Sequence, residues 1–156
     1  MQRRHLIALG AAGLLPALAR AHHGWSSFDQ DKPLYLEGKV ESCAWRNPHA
    51  ELMLRIAAGL LLPADLGTRP VPAQSAGVDA ARILGAARLP TRKDAVWEIE
   101  LAPLTRLQAW GVAEIKPGRA VAVVGYTHPA ERGGAVLRVE FLFVDGKAYG
   151  LRSSPV

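Results

Sequence analysis

The chain has 156 residues, 19 Lys plus Arg against 14 Asp plus Glu, and a single cysteine. That length suits one domain. One cysteine excludes an intramolecular disulfide, so Cys43 is a buried small apolar residue, a reactive thiol or a ligand.

Residues 1–21, MQRRHLIALGAAGLLPALARA, read as an export signal. Arg3 and Arg4 form a basic start, Leu6 to Leu15 an apolar run, Pro16 a break, and Ala19-Arg20-Ala21 a small-x-small cleavage site. A membrane-spanning helix needs about 20 apolar residues, and this run is shorter and interrupted by Gly and Pro. The paired arginines fit twin-arginine export, flanked imperfectly by Gln2 and His5; a Sec-type signal fits as well. Arg3, Arg4 and Arg20 lie in this leader. Without them 16 basic residues face the same 14 acidic ones, a net charge of +2. That excess gives no concentrated basic face, so nucleic acid is not an expected partner. The expected location is periplasmic or secreted, with membrane contact only during export.

Residues 22–33, HHGWSSFDQDKP, read as an extended arm. Residues 34–151 read as one β domain. In 34–43, Leu34, Leu36, Gly38, Val40 and Ser42 alternate with Tyr35, Glu37, Lys39, Glu41 and Cys43, the period of a half-buried strand. Gly38 in its middle suggests a bend or bulge. Asn47-Pro48 marks a turn. Ala50, Leu52, Leu54 and Ile56 then oppose His49, Glu51, Met53 and Arg55. Residues 57–94 have no clean period and read as a long insertion, functional or disordered. A short helix fits near Asp79–Arg88, with Pro90 to stop it. Leu60-Leu61-Leu62 either forms an apolar patch or tucks over the barrel. Trp97, Ile99 and Leu101 alternate with Val96, Glu98 and Glu100. Pro103 suits the first position of a helix that Gly111 ends. Val121 and Val123 alternate with Ala122 and Val124. Leu137, Val139, Phe141 and Phe143 mark the core face of a strand over 136–144. Asp145-Gly146 signals a hairpin into a brief last strand.

The expected fold is therefore all-β with one short helix. Its element order matches a small Greek-key barrel of the oligonucleotide/oligosaccharide-binding (OB) type, with five to six strands and an insertion between strands two and three. A plain β-sandwich is the alternative.

Several motifs occur in a fixed order: Ala21-His22-His23, Asn47-Pro48-His49, Trp97-Glu98-Ile99-Glu100-Leu101, Ile115-Lys116-Pro117-Gly118, Val123-Val124-Gly125 and Asp145-Gly146. In this order the chain resembles a family of small exported bacterial proteins of uncharacterised function. The resemblance spans 21–56 and 95–147 and leaves out the insertion. It implies no particular activity.

Four histidines remain after the leader. Cleavage after Ala21 makes His22 the N-terminal residue. Its α-amine, with an ordinary pKa near ~8, and its ring Nδ1 can chelate one ion. A third histidine nitrogen completes a T-shaped site suited to Cu(II), which favours tetragonal nitrogen ligation. His49 and His128 border two loops that meet at one end of such a barrel, so they are candidate partners, with His23 beside them. A Cys43–His49 pair is a softer Cu(I) alternative. The bland reading makes the arm mobile, His49 a turn residue and His128 solvated. A second candidate face comprises Trp25, Trp45, Arg46, Asn47 and Tyr126. It could stack on and hydrogen-bond a small molecule, although large aromatics in a small barrel are more often core. Glu98 and Glu100 share a strand face but fit solvated positions, and no serine sits in a nucleophile elbow. Enzymatic hydrolysis finds little support in the sequence, and an oxidative copper enzyme is only a distant third reading, since paired nitrogens on one histidine do not by themselves specify a reaction. The sequence points instead to a copper-binding exported barrel, or to a metal-free module that binds a small molecule or a periplasmic protein.

Overall fold

The computed structural model describes residues 24–156, so the leader and the His22-His23 pair lie outside the described residues. Six strands form one sheet: β1 (Leu34–Ala44), β2 (Glu51–Ile56), β3 (Val96–Glu100), β4 (Ala120–Tyr126), β5 (Val136–Val144) and β6 (Lys147–Gly150). Their order is β3-β2-β1-β4-β5-β6, and β3 also pairs in parallel with β5. That pairing closes the first five strands into a barrel and leaves β6 as an extra strand on β5. A short helix, α2 (Leu104–Ala109), bridges β3 and β4. This is the expected small all-β barrel. The insertion adds a second helix, α1 (Ala80–Ala86), inside the stretch where a helix is expected.

The alternation of β1 to β4 fills the interior. Leu36, Leu52, Leu54, Trp97, Ile99 and Val123 are fully buried in one cluster. Removing such side chains costs both transfer free energy and a cavity. A second cluster lies on the outer face of β1, β4 and β5. Tyr35, Val124, Tyr126 and Phe141 meet Phe28 from the arm and Leu66, Ile83, Leu84 and Ala87 from the insertion. The insertion is thus a cover that hides one face of the barrel. Leu60 packs under it, whereas Leu61 is 78% exposed.

Two bulges correct the expected faces. The β1–β2 register shifts between Val40 and Ser42. Beyond that point Cys43, not Ser42, packs against the interior cluster. The bulge therefore lies beyond Gly38, whose role is close approach. The β4–β5 register shifts between Val124 and Gly125, and Glu140 is the unmatched residue on β5. One extra residue reverses the phase of everything after it. Leu142 and Val144 accordingly face the interior, while Phe141 and Phe143 belong to the outer cluster. The assignment of these two phenylalanines to the core face does not hold.

Local signals hold elsewhere. Val144 pairs with Lys147 across a two-residue turn in which Asp145 (φ 53°) and Gly146 (φ 72°) are both left-handed, as a type I′ hairpin requires. Pro103 is the N-cap of α2, one residue before the expected position. Asp79 caps α1, its carboxylate accepting the Arg82 N–H at 3.0 Å. Asp79→Ala should cost about 1 kcal/mol, read as a small downward shift in Tm. An unchanged Tm would mean that packing alone holds the short helix.

Candidate functional site

The arm does not trail from the barrel. Gly24 to Ser27 form a tight turn, with Ser27 N–H donating to Gly24 C=O at 3.0 Å. The Asp29 N–H then donates to Thr127 C=O at 2.9 Å. Phe28 is buried, and its ring stacks on His128 with centroids 4.9 Å apart. His128 Nδ1 lies 3.1 Å from the Ser27 carbonyl. A carbonyl only accepts, so Nδ1 carries the proton and, in the neutral ring, Nε2 carries the lone pair.

Trp25 is the second anchor. Its ring lies 3.8 Å from the Arg152 guanidinium and 5.2 Å from that of Arg138, and meets Tyr126 edge-on at 6.3 Å. Each cation over an aromatic face contributes about 0.5–2 kcal/mol, more where water is excluded. Arg138 is the hub. Its Nη1 donates to Glu100 Oε2 at 3.3 Å, and its Nη2 to His49 Nε2 at 3.1 Å. The Arg138 and Glu100 side chains are only 7% and 12% exposed. Burial lowers the Arg138 pKa, and the charge of Glu100 opposes that. Next along β5, the fully buried Glu140 accepts two hydrogen bonds from Arg152, at 2.9 and 2.5 Å. The Tyr126 hydroxyl is pushed up to about 12, first by burial and then by the Glu140 charge.

The structure thus joins some expected site residues and separates others. Trp25, Tyr126 and His49 converge on the Arg138–Arg152 cluster. His128 holds the other side of the same arm. Trp45 packs against the interior cluster, and the exposed Asn47 accepts the Leu104 N–H at 3.2 Å, at the start of α2. Arg46 is exposed. Cys43 has Glu114 and Lys116 as its charged neighbours, and burial raises its pKa. Among the described residues no three His, Cys, Asp or Glu side chains group as a metal site. Arg138, Glu140 and Arg152 were not expected. Two charges inside the apolar run VLRVEFLFV were the signal. Glu100 also departs from the expected solvated face, because the parallel β3–β5 pair sets it beside Arg138.

A family of unknown function (DUF6152) matches residues 12–59. The match covers under a third of the chain, and includes His22, His23, the arm, β1, the Asn47-Pro48-His49 turn and β2. Of the residues it spans, Trp25 and His49 meet at Arg138. No curated protein and no solved structure matches the chain.

Proposed function

We propose that the protein is an exported, non-catalytic barrel that binds a transition metal, copper first, through His22 and His49. One observation carries this reading: Arg138 touches both Trp25 and His49, so the arm is fixed beside the Asn-Pro-His turn. Residue 22 is three residues from Trp25, a tether of at most ~10 Å. A free His22 amine and its Nδ1 supply two nitrogens, and the third comes from His49 or from His128. Ligation by His49 Nε2 exchanges one Arg138 N–H for the metal. Arg138 keeps Glu100, so the exchange strands no buried charge. His128 is oriented by a backbone carbonyl on Nδ1, the usual outer partner of a ligating imidazole.

The metal-free alternative, a module for a small molecule or a periplasmic protein, is favoured by the same contact, since Arg138 already satisfies His49 Nε2. Competition titration of Cu(II) into the natively exported protein separates the two. The metal reading predicts a single tight site, weakened about 10²-fold or more by His22→Ala, and weakened by either His49→Ala or His128→Ala. Weak binding indifferent to His22→Ala would favour the alternative.

A further inference from the structure

A clasp closes the arm on the barrel. The Trp25 ring lies 3.8 Å from the Arg152 guanidinium. Arg152 Nη1 donates to Gln30 Oε1 at 2.9 Å, and Gln30 Nε2 donates back to the Trp25 C=O at 3.1 Å. Three side chains thus form a closed circuit around one turn of the arm. We infer that Trp25, Gln30 and Arg152 are positioning residues of the metal site, and that they set its affinity by holding His22 on a short tether. None of the three is itself a ligand. Their role rests on the reading of His22 as one.

The base of the clasp is fixed before the arm meets it. Arg152 donates two hydrogen bonds to Glu140, which is fully buried on β5. The guanidinium is therefore oriented from the barrel side and offers its remaining nitrogen and its charge to the arm. Trp is the aromatic that a cation favours most. The Trp25 C=O also accepts the Phe28 N–H at 3.2 Å, so backbone and clasp hold the same residue.

Phe28 and the Asp29–Thr127 bond already anchor the arm at 28–29. What the clasp adds is an anchor three residues nearer the N-terminus. From Trp25 to His22 the tether is three residues, at most ~10 Å. With Trp25 loose the nearest anchor is Phe28, and the tether is six residues. Effective concentration falls roughly as the −3/2 power of tether length or more steeply, so doubling the tether weakens a metal bridged to the barrel roughly threefold or more. Linkage makes the effect reciprocal: a metal that joins His22 to the barrel holds the arm down by the same factor.

The test uses the natively exported protein. Cu(II) affinity is measured by competition titration, and amide exchange at 24–29 with and without one equivalent of Cu(II). Trp25→Ala should weaken Cu(II) binding about threefold or more, with exchange in the barrel strands unchanged. Gln30→Ala should act in the same direction. Trp25→Phe keeps an aromatic face for Arg152 and should restore most of the affinity. Cu(II) should slow exchange at 24–27 by a matching factor, and should not do so in His22→Ala. In His22→Ala, adding Trp25→Ala should weaken the residual binding no further. A Trp25 that only holds the fold together would give neither dependence on His22. Tight binding that is equal in the unsubstituted protein and in Trp25→Ala would overturn the inference and leave the metal reading standing. Absence of a tight site in the unsubstituted protein would overturn both.

Discussion

Gly38→Ala should lower the Tm by about 10 °C or more, or prevent folding. A Cβ at this position would stand 1.9 Å from the Arg55 carbonyl oxygen and 2.8 Å from its carbon. Both atoms are backbone, so no rotamer change relieves the contact. Gly38 also pairs on one side with Ile56 and on the other with Val121. Moving β1 away from β2 therefore pulls against β4 as well. Overpacking a core side chain typically costs about 1–3 kcal/mol; a clash between two hydrogen-bonded backbones should cost at least the upper figure. For a domain of this size that is roughly a 10 °C shift. Gly85→Ala is the matched control. It lies in α1 with nothing within 4 Å of the added carbon. Ala is the better helix former by about 0.5–1 kcal/mol, so Tm should hold or rise. Equal effects at the two positions would show that the barrel does not close at Gly38 as described.

Arg138→Ala should destabilise the fold by about 3 kcal/mol and release the arm. Removing one partner of a buried ion pair costs about 3–5 kcal/mol because the other charge is left behind. The lower figure applies because Glu100 keeps 12% exposure. The same truncation removes the donor on His49 and one of the two cations over Trp25. Hydrogen exchange at residues 24–29 should then quicken relative to β1, since local opening reports local contacts. Arg138→Lys keeps the charge and loses the fork, so it should restore part of the stability with less protection of the arm. Unchanged exchange at 24–29 in Arg138→Ala would mean that Phe28 and the Asp29–Thr127 bond hold the arm alone.

The barrel was legible because period-2 alternation survives wherever one strand face is interior. Leu52, Leu54, Trp97, Ile99 and Val123 all sit where that period puts them. It fails at Phe141 and Phe143 because a single unmatched residue, Glu140, shifts the phase without changing the local pattern. Beyond Glu140 both phases of β5 are apolar, Phe141 and Phe143 on one side and Leu142 and Val144 on the other, since the outer face is covered too, so alternation there had no polar side to mark the slip. The cover itself was illegible. Leu66, Ile83, Leu84 and Ala87 reach the barrel from irregular chain, which has no period to detect. The site was half legible. His49, His128, Trp25 and Tyr126 stood out by type and position. Arg138 and Glu140 were hidden by being read as part of a strand, although charges in an apolar run need partners. Their partners, Glu100 and Arg152, come from a parallel pairing and from the chain's end. Neither is visible in local spacing.

The most direct test of the central claim compares two forms of the protein with Cu(II) under electron paramagnetic resonance. One is exported from its own signal, so that the N-terminus is the processed one. The other is made without export and retains Met1. A metal held by the His22 amine predicts a tetragonal spectrum with nitrogen hyperfine structure from the first form at one equivalent, and its loss or marked weakening in the second. The same spectrum and the same affinity from both forms, or no nitrogen coupling in the exported one, would contradict the account.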